Sequence, residues 1–96
     1  MREYELVVVM SPDIPEEDVP AAVERVTGAV TSRGGEVTTL NQWGRRKLAY
    51  PIARHIEGNY IVTQIRIDPA RTSELEAGFA ISEDILRHLL IRADEE

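Results

Sequence analysis

The sequence contains no cysteine and no long apolar run, and each absence excludes a class of protein. Without cysteine the chain forms neither disulfides nor thiolate metal sites, which is compatible with a reducing compartment. No apolar run approaches the roughly 20 residues that a membrane-spanning helix needs. The amino-terminal MREYELVVVM lacks the layout of a signal peptide, because Glu3 and Glu5 interrupt it. These features predict a soluble, cytoplasmic protein without a membrane segment.

Acidic residues are missing from one segment of a chain that is otherwise acidic. The 96 residues include 11 Lys and Arg against 17 Asp and Glu, for a net charge of −6. Residues 37–56 contain no acid. A solvated edge strand would explain basic residues there, but we would expect mixed charges under that reading. Arginine interspersed with aromatic side chains is typical of contact with RNA or with a protein partner. The residues concerned are Arg45, Arg46, Lys47 and Arg54, with Trp43 and Tyr50.

Hydrophobic periodicity predicts two helices and at least three strands. The valine-rich stretch after the first tyrosine alternates like a strand, and an apolar stripe with helical spacing follows the first prolines. Gly34 is expected to end the first helix in a left-handed conformation, and Gly44 to mark a bulge. Pro51 cannot donate to a ladder, so its strand should lie at a sheet edge. The predicted strands are 3–10, 36–54 and 60–67, and the predicted helices are 16–32 and 68–80.

The last segment, SEDILRHLLIRADEE, fits a helix or a strand equally well by periodicity. A strand completes a β-α-β-β-α-β order, in which two helices cover one face of a four-stranded antiparallel sheet. We therefore predict an α+β fold with the first and third strands in the centre. Residues 1–93 would form one domain, and 94–96 a short acidic tail. Pro15 and Pro20 leave the start of the first helix open between a later start and a bend.

Signals for catalysis are weak. His55 and His88 are the only histidines, and their spacing suits neither a metal site nor a catalytic pair. The stretch GRRK is not a phosphate-binding loop, which needs two glycines four residues apart before the lysine. The sequence thus predicts no enzyme, no metal, no cofactor and no small-molecule substrate.

A second group of basic residues lies at the two ends of the chain. In the predicted topology the first and fourth strands are neighbours, so Arg2, Arg87, His88 and Arg92 could converge, with Tyr4 nearby. Scattered exposed charge is the alternative explanation. Trp43 and Tyr50 differ by seven positions, so they would face opposite sides of the sheet unless Gly44 bulges the strand. We expect one of the two to be buried.

Three stretches resemble one known family, the bacterial small-subunit ribosomal protein six. They are MREYELVVVMSPDI, GRRKLAYPIARHIEGNYIV and ILRHLLIR, and together they span essentially the whole chain. The resemblance implies a ferredoxin-like fold and a structural role in the small ribosomal subunit. It also implies cooperative binding, with ribosomal protein eighteen, to the central domain of small-subunit ribosomal RNA.

The resemblance also implies which residues make these contacts. It makes Arg2, Tyr4, Arg87, His88 and Arg92 candidate RNA contacts. It makes five further residues candidate contacts with the partner protein or with RNA near it. These are Arg45, Arg46, Lys47, Tyr50 and Arg54. Two other functions were weighed on the same fold. A regulatory domain would dimerise through the open sheet, and an acylphosphatase-like hydrolase would need a glycine-rich loop where SPDIPEED stands.

Overall fold

The computed structural model describes residues 1–52 and 54–93, which follow the order β-α-β-β-α-β. Short 3-10 turns precede both helices. The final segment is a strand, as predicted. The predicted acidic tail, 94–96, lies outside the described residues. The strands are β1 (Arg2–Met10), β2 (Glu36–Ile52), β3 (His55–Ile67) and β4 (Ile85–Arg92), and the helices are α1 (Val19–Thr31) and α2 (Thr72–Ala80).

The four strands form one antiparallel sheet in the order β2-β3-β1-β4. The first and third strands are therefore central, and Pro51 lies in an edge strand, as predicted. Gly44 has a φ of 77°, and the register between β2 and β3 shifts beside it. This confirms the predicted bulge, since a left-handed backbone favours glycine at such a position.

Both helices pack on one face of the sheet, because alternate strand residues are apolar. On β1 the side chains of the core cluster are at even positions, such as Leu6 and Val8, and β3 buries Ile61 and Ile65 beside them. The stripe of α1 and the Leu75 face of α2 close this core. The predicted ferredoxin-like fold is confirmed, and the opposite face of the sheet, here called the open face, carries no helix in the described chain.

The start of α1 resolves the question raised by the prolines. Residues 16–18 form a 3-10 turn, and Pro20 occupies the first turn of α1, where a missing N–H is tolerated. Asp68 caps the turn before α2 by accepting from the Ala70 amide at 2.9 Å. Gly34 ends the first helix with a φ of 77°. None of the described helices is long and apolar enough to span a bilayer.

The β2–β3 hairpin is irregular beyond the bulge at Gly44. Lys47 pairs with Glu57, but the next pair joins Ile52 to His55. Residues 48–51 of β2 therefore have only one residue opposite them. The extra chain length lets this segment, here called the strap (residues 48–51), leave the edge of the sheet and fold toward the open face.

Candidate nucleic-acid and partner interface

A group of aromatic and arginine side chains occupies the open face near the hairpin. We call it the open-face patch, and it comprises Trp43, Arg46, Tyr50, Tyr60 and Arg87. Strand alternation puts Tyr60 and Arg87 on this face, because their neighbours Ile61 and His88 point toward the helices. The patch therefore combines residues from β2, β3 and β4.

Trp43 and Tyr60 form the aromatic half of the patch. Their rings stack with centroids 6.4 Å apart and planes 13° from parallel. The guanidinium of Arg46 lies over the Trp43 ring, 5.6 Å from its centroid, and its Nε donates to the Trp43 carbonyl at 3.4 Å. A cation held over an aromatic face keeps its charge while its position is restricted. Arg46 is therefore presented to a ligand as an ordered positive group.

The strap forms the other half. Leu48 is only 8% exposed and packs over Gly58, where the absence of a Cβ makes room for the neighbouring Val9. Tyr50 reaches across the sheet to β4, where its hydroxyl accepts a hydrogen bond from Nη1 of Arg87. The Arg87 guanidinium also lies 5.9 Å from the centre of the Tyr50 ring. The strap thus connects the edge strand β2 to the opposite edge β4.

The prediction that either Trp43 or Tyr50 is buried is wrong. Their side chains are 53% and 56% exposed. The bulge at Gly44 and the irregular strap rotate the strand, so that both rings end on the open face. Two exposed rings beside two arginines match the composition of protein and RNA interfaces.

Apolar side chains extend the open-face patch along β4. Leu89 and Ile91 are nearly half exposed, although both are large and aliphatic. Val7 and Val9 lie beside them on β1, and a shallow pocket of about 260 Å³ opens between Val9, Tyr60 and Leu89. An exposed apolar surface of this kind marks an interaction site more often than a solvated face.

The basic residues on the two sides of the molecule differ in whether a carboxylate lies close to them. Arg25, Arg33 and Arg71, on the helix side, each lie within 4 Å of a carboxylate, Asp84 or Glu74. Within residues 1–52 and 54–93, no carboxylate lies that close to the basic residues of the open face and hairpin tip. These residues are Arg46 and Arg87 on the open face, and Lys47 and Arg54 near the hairpin tip. The three helix-side arginines are thus paired with carboxylates, whereas the open face and the hairpin tip keep positive charge without such a partner.

Arg45, a predicted partner contact, makes its contacts within the protein itself. Its Nη2 donates to the Pro12 carbonyl at 2.8 Å, and its Nε lies 3.8 Å from Glu57. Asn59 adds a 3.5 Å hydrogen bond to the carbonyl of Ser11. These contacts tie the base of the hairpin to the loop after β1, so Arg45 faces the helix side and helps to hold the hairpin.

The two remaining predicted partner contacts lie outside the patch. Lys47 alternates to the same side as Arg45. Arg54 lies at the hairpin tip with a left-handed φ of 69°.

The five predicted RNA contacts do not converge at one place. Arg2 pairs in register with Ile67, and Tyr4 with Arg92, so these three predicted contacts meet at the end of the sheet away from the hairpin. Arg87 pairs with Val9 and lies about 16 Å farther along β4 on the open face. The alternative of scattered charge is therefore the one observed, because Arg87 and Arg92 lie five positions apart on β4 and His88 points to the helix layer.

Tyr4 and His88 are engaged with the protein itself. Tyr4 is 7% exposed and belongs to the core. His88 packs on Phe79, with ring centroids 5.7 Å apart, and its Nε2 lies 3.5 Å from a carboxylate oxygen of Glu76. Both side chains therefore face the helix layer. Neither presents its polar atom to the open face.

The titratable side chains that could hold a metal are dispersed in the described chain. No group of three or more metal-ligating side chains comes together among those residues. The two histidines stand apart, each beside one carboxylate: His55 lies 3.7 Å from Asp13, and His88 contacts Glu76. The arrangement suits binding.

Sequence reasoning missed three residues that complete the open face. The stacking of Tyr60 on Trp43 requires the register of β2 and β3, which no local pattern gives. Leu89 and Ile91 alternate with half-buried neighbours on β4. Their exposure could have been found from the rule that only one face of the sheet carries helices.

Comparison with known proteins gives a consistent result over nearly the whole chain. The family model described as "Ribosomal protein S6" matches residues 3–92. The small ribosomal subunit protein bS6 of Caldanaerobacter subterraneus subsp. tengcongensis is 42% identical over 95 residues, which are 99% of this chain and 100% of the relative. That of Moorella thermoacetica is 41% identical over 96 residues, covering 100% of this chain and 98% of the relative.

Solved structures agree with the fold described above. The crystal structure of 30S ribosomal protein S6 from Thermotoga maritima superposes with a TM-score of 0.89 at 34% identity, covering 95% of this chain and 86% of that one. The C-terminal domain of the MgtC protein from Mycobacterium tuberculosis gives a TM-score of 0.60 at 10% identity, with coverage of 99% and 90%. The second similarity shows a shared fold alone, because one fold hosts many functions.

Proposed function

Because the chain belongs to the ribosomal protein S6 family, we propose that it binds the central domain of small-subunit ribosomal RNA cooperatively with ribosomal protein eighteen. Family membership gives the chain a structural role in the small ribosomal subunit, and hence a place on the ribosome in the cytoplasm. The family is structural rather than enzymatic. The finer assignment, to this RNA and this partner, is the proposal.

One observation carries the proposal: the contrast between paired arginines on the helix side and uncompensated ones on the open side. Arg46 and Arg87 are ordered by aromatic rings and have no carboxylate within 4 Å in the described chain. A polyanion is attracted to such groups, because each releases condensed counterions when it contacts a phosphate. A chain with net charge −6 would otherwise repel RNA.

The partner is assigned to the apolar part of the open face. Leu89, Ile91 and Trp43 expose large apolar surfaces beside a pocket on β1 and β4. Burial of such surface stabilises a complex by roughly 25 cal/mol per Å² before the costs of association. Since the open-face patch adjoins this surface, a docked partner also lies next to the RNA-binding arginines. Binding of one ligand then favours binding of the other, and the coupling is reciprocal.

The predicted RNA contacts other than Arg87 have different roles in the proposal. Arg2 and Arg92 flank the same end of β1 and β4, where they would meet a separate stretch of RNA. Tyr4 and His88 would act through packing, because both face the helix layer.

The test is a measurement of RNA affinity with and without the partner, for the wild-type chain and for single arginine variants. We expect tight binding to the RNA fragment only when the partner is present. Arg46→Ala or Arg87→Ala should weaken it about five- to thirtyfold, as expected for loss of a charge-assisted contact. Each should also reduce the slope of log K against log salt by roughly one.

Arg71→Ala is the matched control, since it removes the same charge from the helix side, where Arg71 is paired with Glu74. Equal losses for Arg71→Ala and Arg87→Ala would show that only net charge matters, and would contradict the proposed surface. A chain that ignores RNA and partner but forms a firm homodimer would instead support the regulatory-domain alternative.

A further inference from the structure

We infer that Tyr50 is a positioning residue that couples partner binding to RNA binding by holding Arg87. The inference rests on the proposed function and deepens it. The two residues come from segments 37 positions apart and belong to different predicted contact sets, the partner for Tyr50 and RNA for Arg87. Their direct contact gives the two binding events a physical connection.

The geometry restricts Arg87 in two ways at once. Its Nη1 donates to the Tyr50 hydroxyl, and its guanidinium lies 5.9 Å from the centre of the same ring. A hydroxyl fixes the direction of one N–H, and the ring limits motion of the planar group. An arginine held in this way loses less conformational entropy when it meets a phosphate.

Tyr50 restricts Arg87 without neutralising it. Tyrosine is uncharged in its ordinary state, and among the described residues no carboxylate lies within 4 Å of Arg87. A guanidinium has five N–H donors, so most of them remain available beside the tyrosine contact. The contact therefore prepares Arg87 for an anion, whereas a salt bridge would compete with the anion.

The strap makes the position of Tyr50 depend on the open face. Residues 48–51 have a single residue opposite them on β3, so the sheet ladder holds them only loosely. Leu48 anchors one end of the strap over Gly58 and Val9, but Tyr50 itself is 56% exposed. A protein docked on the open face would cover Tyr50, fix the strap and thereby fix Arg87.

The experiment compares Tyr50→Phe with Thr27→Val. Each removes one hydroxyl, but Thr27 lies on α1, outside the open-face patch, where its hydroxyl donates to the Glu24 carbonyl at 3.2 Å. RNA affinity is measured at saturating partner, so that any loss of partner affinity does not contribute. We expect Tyr50→Phe to weaken RNA binding about three- to tenfold, in line with the entropy cost of immobilising one flexible side chain. Thr27→Val should leave it within twofold.

A double-mutant cycle separates coupling from a purely structural effect. In the Arg87→Ala background, Tyr50→Phe should have no further effect on RNA affinity, because the group it positions is absent. In the free protein, NMR relaxation of the Arg87 Nε–H should show greater side-chain mobility in Tyr50→Phe than in the wild type or Thr27→Val. This second readout needs neither RNA nor partner.

The possible results of these experiments distinguish a failure of this inference from a failure of the proposed function. If the wild type binds RNA with the partner and Arg87→Ala weakens binding, but Tyr50→Phe does not, the coupling role is overturned and the function stands. An equal effect of Tyr50→Phe with and without Arg87 would also overturn it. If the wild type binds neither ligand, the proposed function is wrong, and the coupling role is lost with it.

Discussion

Two glycines show how single residues adjust the open face and the core. A Cβ added at Gly58 would lie 2.4 Å from Cγ1 of Val9 and 3.3 Å from the Met10 carbonyl oxygen. Gly28, within α1, has nothing within 4 Å of the same added atom. The first glycine is therefore needed for the close approach of hairpin and β1, whereas the second only lowers helix propensity.

We predict opposite effects for the two alanine substitutions. Gly58→Ala should lower the free energy of unfolding by about 1–3 kcal/mol, the usual cost of overpacking. Gly28→Ala should raise it by about 0.5–1 kcal/mol, because glycine is unfavourable inside a helix. Urea unfolding of both variants measures this directly. Equal stability of the two variants would show that Val9 moves away without cost.

At this scale, alternation predicted the faces of single residues but not their contacts. The stripe of α1, the Asp68 cap and the left-handed Gly34 were read correctly, since each depends on near neighbours. The contact of Tyr50 with Arg87 spans 37 positions and depends on an irregular strap. No local pattern contains that information.

Of the two helices, α2 is the one that is held by fewer buried side chains. Its nine residues bury only Leu75 and Phe79, both against the sheet. Ile81, immediately after the helix, is 84% exposed. The docking of α2 therefore depends on two side chains, while another large aliphatic residue beside it contributes little.

Leu75→Ala and Ile81→Ala form a matched pair for this element. The first should reduce the free energy of unfolding by about 2–5 kcal/mol, because it leaves a cavity beneath α2. The second should change it by no more than about 0.5 kcal/mol, as is usual for exposed positions. Thermal and urea unfolding measure both. A large loss for Ile81→Ala would show that this residue packs against something in solution.

The order of the elements was predictable because topology resolved what periodicity left open. The last segment fits a helix or a strand by pattern, but only a strand completes the sheet. The prediction of residues 36–54 as one extended segment was close to the observed β2, Glu36–Ile52. The strap within β2 was not predicted, since it depends on the pairing between β2 and β3, which skips from Lys47 and Glu57 to Ile52 and His55.

The whole molecule divides its charge between two layers. The helix layer carries most of the acids, and its three arginines are paired with them. The open face and hairpin tip carry arginines without carboxylate partners in the described chain, beside exposed aromatic and aliphatic side chains. An acidic protein of the small ribosomal subunit can thus present one basic, partly apolar surface to RNA and partner. The acids that β1 places on the open face, Glu3 and Glu5, lie toward the end of the sheet away from the hairpin.

NMR mapping of the binding surface tests this account most directly. Ribosomal protein eighteen and the RNA fragment are added to the chain in steps. The NMR signals of its tryptophan indole and of its methyl groups are recorded at each step. The Trp43 indole and the Leu89 and Ile91 methyl signals should shift on binding, because these groups lie on the open face. The Ile81 methyl, equally available but on the helix side, should not. Shifts at Ile81 with unchanged signals from Trp43 and Leu89 would contradict the account.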